Sequence, residues 1–75
     1  MTTDEFLERL SEAVEADAPL RRGQLLSEHA TWDSLAVLAA VELFDEVGAR
    51  VELQTVAEAA TTDDLIAMAG AALTD

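Results

Sequence analysis

The sequence predicts an all-α fold, a small four-helix bundle of three main helices and one short helix with a long loop between the first two. Three observations carry that prediction. Apolar residues recur at helical spacing in three segments, and each segment begins at a threonine or aspartate suited to cap a helix. Strand signals are poor, with few β-branched runs and no Asn-Gly or Asp-Gly turn. At 75 residues the chain has room for one domain, 1–75, with one small core.

Thr2 to Glu5 fits a capping box, after which Phe6, Leu10, Ala13 and Val14 share one side and Glu8, Glu12 and Glu15 turn away. This predicts a first helix over roughly 3–17, ended by Asp17-Ala18-Pro19 because the residue before proline disfavours the α region. Residues 18–32 then form a loop whose Leu20, Leu25 and Leu26 are expected to dip into the core. Its length is above the usual range for so small a domain, which is often a mark of function.

The second helix starts at Asp33, a good N-cap, with Trp32 before it placed to form a hydrophobic staple with Val37. It is predicted to run to about Val47, with Gly48 taking a left-handed C-terminal position. Ala49 to Leu53 reads as an extended connection carrying Val51 and Leu53 inward, followed by a short helical turn around 55–60. Thr61-Thr62-Asp63-Asp64 offers another cap for a last helix with Leu65, Ile66, Met68, Ala69, Ala72 and Leu73 on its apolar side. Gly70 is expected to cost that helix ~1 kcal/mol without breaking it.

Charge and composition narrow the function. Sixteen acidic residues against four arginines give a net charge of −12, while 51% hydrophobic residues argue for a folded chain. Such a charge repels nucleic-acid phosphates and anionic membranes and selects proteins with Arg and Lys patches as partners. The absence of cysteine excludes disulfides, thiolate metal sites and a cysteine nucleophile, so any thiol chemistry must come from a bound group. No secretory pattern opens "MTTDEFLERL" and no run of about 18 apolar residues occurs, so a cytoplasmic monomer is expected. The acids do not follow EF-hand spacing, and no metal site is expected. Asp4, Glu5, Glu8, Glu12 and Glu15 read as a solvated helix face.

The middle helix is the richest in information. Leu35 to Val41 with Leu43 and Phe44 cover more than one face, interrupted by Glu42. It is either a central helix touched on several sides or one whose outer Leu35 and Leu38 form a docking surface rimmed by Asp33, Glu42, Asp45 and Glu46. Ser34 stands at its first helical position, where unpaired N–H groups and the helix dipole favour an anion. Taken alone, such a serine assists capping; a phosphoester on its oxygen would also be well placed. A hydrolase built on Ser34, Asp33 and His29, the only histidine, lacks a visible oxyanion site or cleft, and His29 is expected in the loop in a solvent or capping role.

Asp33-Ser34-Leu35 at the start of a helix that follows a long loop, in an acidic helical chain of this length, resembles the acyl carrier protein family over the whole chain. The "WDSL" form is similar to that of stand-alone carriers. The resemblance implies that Ser34 is the attachment site of 4′-phosphopantetheine, delivered from coenzyme A by a phosphopantetheinyl transferase with Mg²⁺. It further implies a non-catalytic protein that carries acyl groups as thioesters among acyl-loading and acyl-processing enzymes, in fatty acid, polyketide or related specialised biosynthesis. Ala36, Ala39 and Val47-Gly48 depart from relatives that carry acids early in this helix and an aromatic near its end. Two alternatives stand beside it: a peptidyl or aminoacyl carrier, and an unmodified acidic helical adaptor for a basic protein.

Overall fold

The computed structural model describes residues 1–74. Among them are four α-helices, α1 (Thr3–Ala13), α2 (Ser34–Glu46), α3 (Leu53–Ala57) and α4 (Thr62–Ala69), with 3₁₀ turns at Leu26–Glu28 and Gly70–Ala72. No strand occurs among the described residues, and none of their helices is long and apolar enough to cross a membrane.

The core is built where the helical spacing converges. Phe6, Leu10 and Val14 from the α1 side meet Ala40, Leu43 and Phe44 of α2, with Val56 of α3 and Leu65 and Ala69 of α4 closing the cluster. The Phe6 and Phe44 rings pack at 5.5 Å between centroids and 43° between planes, within the tilted geometry aromatic pairs favour. Each large apolar side chain fully buried here contributes about 1.5–3 kcal/mol. Small Ala36 and Ala40 are buried on α2, which contacts both α1 and α3.

The helix starts carry the expected N-caps, but at α1 the box expected of Thr2 and Glu5 is only half made, since Glu5 Oε1 accepts from the Thr2 hydroxyl at 3.3 Å and not from the Thr2 N–H. The Thr2 hydroxyl accepts the Glu5 N–H at 3.1 Å, and Asp33 Oδ1 accepts the Ala36 N–H at 3.0 Å. At α4, Thr61 Oγ1 accepts the Asp64 N–H at 3.2 Å while Asp64 Oδ2 accepts from Ala60 and Thr61 at 3.0 and 3.1 Å. Those two backbone donors hold the Asp64 carboxyl below its ordinary pKa.

The helix ends differ from expectation. Helix α1 stops at Ala13, not near 17, because Val14 is its C-cap and Glu15 turns into the left-handed region at φ 53°. The Glu15 N–H reaches the Glu12 carbonyl at 3.2 Å and the Ala16 N–H reaches that of Ser11 at 2.9 Å, a Schellman closure. The early stop leaves Ala13 exposed and lets the chain return so that Leu20 is buried and its N–H meets Ser11 Oγ at 2.9 Å. Helix α2 closes in the same way, with Val47 as C-cap and Gly48 at φ 88°, the residue the sequence marks for that role. In α4, Gly70 takes φ 46° and ends the α-helix, which the sequence predicts to continue; the chain goes on as a 3₁₀ turn.

Two leucines are also placed otherwise than expected. The Leu26 N–H bonds to the Ala60 carbonyl and the Thr62 N–H to that of Gln24, both at 2.9 Å, so residues 24–26 are locally extended beside 60–62. Side chains alternate there, so Leu26 points in while Leu25 remains 50% exposed. Helix α3 forms at 53–57 instead of 55–60, and Leu53, as its first residue, stays outside while Val56 is buried.

Candidate functional site at the start of helix α2

With 100° per residue, Leu43, Ala36, Ala40, Phe44 and Val37 fall within an arc of about 120° on α2, and all five are buried. Ser34, Leu35, Leu38, Glu42, Asp45 and Glu46 occupy the opposite arc, and all six are exposed. Helix α2 is therefore central, touching two other helices, and still presents one free face. Leu35 is 75% exposed and Leu38 48%, so two large apolar side chains lie in solvent between acids. The structure thus places Leu35, Leu38, Glu42, Asp45 and Glu46 of the expected docking surface on a single side of α2, while Asp33 stands before its first turn as the N-cap.

At the head of that face, Asp33 adopts extended backbone and spends its side chain on the Ala36 N–H, while its carbonyl accepts the Val37 N–H at 3.0 Å. The N–H groups of Ser34 and Leu35, in the first turn, have no intrahelical acceptor. Ser34 is exposed, and its hydroxyl makes no hydrogen bond to any described residue. An exposed nucleophilic oxygen thus stands beside two unspent backbone donors at the positive end of the helix dipole.

An open groove of about 400 Å³ begins at Ser34 and runs between α2 and α3, lined by Trp32, Val37, Leu38, Leu53 and Ala57. Trp32 and Val37, the pair expected to staple the helix start, form part of its wall. Read as an extended connection carrying Leu53 inward, residues 49–53 do not foreshadow this groove. The signal was present in Leu53 and Val56, three residues apart, which mark a helix beginning two residues earlier.

The lower part of the face is acidic but not bare. Glu46 Oε2 lies 3.3 Å from Arg9 Nη2 of α1, and Glu42 and Asp45 share a shallow depression with Arg50. His29 departs from its expected solvent or capping role. It is buried, with Nε2 3.2 Å from Gln24 Oε1 and Nδ1 3.6 Å from Asp17 Oδ1. Both ring nitrogens face those residues, so the described residues assemble no Ser-His-Asp relay at Ser34. Among them no group of three His, Asp or Glu side chains could hold a metal ion.

Comparison of the chain with family models, with curated proteins and with solved structures finds no match.

Proposed function

We propose that this protein is a carrier of the acyl carrier type, a four-helix bundle with a long loop before α2, whose Ser34 receives 4′-phosphopantetheine. The observation that carries the proposal is the Ser34 hydroxyl, exposed and unbonded at the first position of α2 and opening onto an apolar groove. A serine that only caps would spend its oxygen on the backbone, and Asp33 already performs that task.

The residues fit the group. Ser34 Oγ would hold the phosphoester, the N–H groups of Ser34 and Leu35 favour its negative charge, and the groove gives apolar surface beside it. When attached, the group supplies a thiol, which the cysteine-free chain lacks, to hold an acyl chain as a thioester. The protein itself is then a substrate and a tether that raises the local concentration of cargo at each partner, and has no catalytic residue. Asp33, Leu35, Leu38, Glu42, Asp45 and Glu46 form the docking face, an apolar centre with a charged rim suited to partners with basic patches. Those partners are a phosphopantetheinyl transferase and acyl-loading and acyl-processing enzymes. A cytoplasmic monomer in fatty acid, polyketide or related biosynthesis suits the role.

The test is the intact mass before and after incubation with a broad-specificity phosphopantetheinyl transferase, coenzyme A and Mg²⁺, with Ser34→Ala in parallel. One phosphopantetheine increment on the wild type and none on a variant of unchanged helix content is the expected result. No increment where a control carrier is modified would replace this reading with the noncovalent acidic adaptor.

A further inference from the structure

Arg9 is one of only four cations in a chain of net charge −12, and it is spent on the docking face. It reaches from α1 to Glu46 at 3.3 Å, and the depression it occupies is also lined by Glu12 and Glu42. Both side chains of the pair are about half exposed, at 48% and 64%, where an ion pair adds little to stability. Its larger effect therefore falls on the charge that α2 presents outward.

Resting on the carrier reading, we infer that Arg9 is a specificity-determining residue that masks Glu46 and lowers the attraction of α2 for a basic protein surface. The occupant follows from charge complementarity: Asp33, Glu42, Asp45 and Glu46 lie on or beside one exposed arc around Leu35 and Leu38, which fits a partner with lysines and arginines around an apolar contact. A partner cation approaching Glu46 meets a guanidinium already there and must displace it. Only partners basic enough to compete dock productively, so the pair sets a threshold among basic proteins.

The experiment measures kcat/KM for loading by a broad-specificity phosphopantetheinyl transferase on wild type, Arg9→Gln and Arg22→Gln, at low and high ionic strength. Arg22 controls for net charge, since it pairs with Asp4 at 3.6 Å on α1, away from α2. One charge removed about 10 Å from a partner cation in water changes the encounter about twofold. Arg9→Gln is expected to raise kcat/KM about twofold at low salt, with the gain lost when the Debye length shrinks to about 3 Å near 1 M salt, and Arg22→Gln is expected to match wild type. Modified wild type with no gain in Arg9→Gln, or an equal gain in Arg22→Gln, overturns the inference and leaves the carrier reading standing. Wild type that stays unmodified beside a modified control overturns both.

Discussion

Asp33 can be taken apart experimentally because its hydrogen bond and its charge do different things. Its Oδ1 accepts the Ala36 N–H at 3.0 Å, and its carboxylate stands at the positive end of α2. Asp33→Ala removes both. Loss of an N-cap acceptor costs about 1 kcal/mol, which lowers Tm by about 4–8 °C for a domain of this size. Asp33→Asn keeps the acceptor and loses only the charge–dipole term, about 0.3–1 kcal/mol at an exposed helix end at low salt. Thermal unfolding followed by circular dichroism at two ionic strengths separates these contributions. At about 1 M salt, where screening acts within about 3 Å, Asp33→Asn should regain wild-type stability while Asp33→Ala stays low. Equal deficits for the two variants at high salt would refute capping as the contribution of Asp33. If Asp33→Asn folds as well as wild type, slower loading of that variant by a transferase measures the carboxylate's part in docking alone.

Two more perturbations test the local chemistry of the fold. Glu15 holds φ 53° in a position that glycine takes at the end of α2. Glu15→Gly relieves a left-handed cost of about 1–2 kcal/mol against a glycine entropy cost of about 0.5–1 kcal/mol, so it is expected to stabilise the protein by about 0.5–1 kcal/mol, read as a higher urea midpoint. An unchanged or lower midpoint would mean that the Glu15 side chain offsets the backbone cost. The Asp64 carboxyl is held below its ordinary pKa by the N–H groups of Ala60 and Thr61, so its contribution is fully present above the unfolded-state pKa and is lost as pH falls through the lower folded-state value. The Tm gap between wild type and Asp64→Ala should therefore be widest near neutral pH and narrow on acidification, and a gap that holds constant would show that the ionised carboxylate is not what caps α4.

What the sequence made legible was chemistry that acts within one turn. Thr2, Asp33 and Thr61 were readable as helix starts because a short side-chain acceptor must lie next to the N–H groups it serves, and all three make that bond. Gly48 was readable for the same reason. The end of α1 was not, because the left-handed position fell to Glu15, which carries no local mark, while the conspicuous Pro19 lay further on. Leu25 and Leu26 could not be separated without knowing that residues 24–26 run extended against 60–62, a contact some 36 residues apart in the chain. His29 is buried with its ring nitrogens against Asp17 and Gln24 of its own loop, an arrangement with no periodicity to announce it. At the site, Ser34 and the exposed arc followed from helix geometry, but the groove required α3 to be positioned against α2.

The carrier reading makes two electrostatic demands on one helix, and α2 meets them by distance. A phosphoester on Ser34 adds negative charge to a chain already at −12, while docking to basic partners needs acids on the same face. Asp45 lies eleven residues beyond Ser34, which at 1.5 Å per residue is about 16 Å along the axis. That is about two Debye lengths at physiological ionic strength, and Glu42, eight residues beyond Ser34 at about 12 Å, is about one and a half away, so the far acids oppose charge at the helix start only weakly. Asp33 alone is near, and the Ala36 N–H it accepts, together with the free N–H groups of Ser34 and Leu35, counters its field at that end. Leu35 and Leu38 fill the interval, where neither demand calls for charge and where a partner's apolar contact would be undisturbed by either. Under the proposed function, the order anchor, apolar middle and acidic far end would let a single amphipathic helix carry an anion and attract a basic surface together, while its remaining arc is committed to the core through Ala36, Val37, Ala40, Leu43 and Phe44.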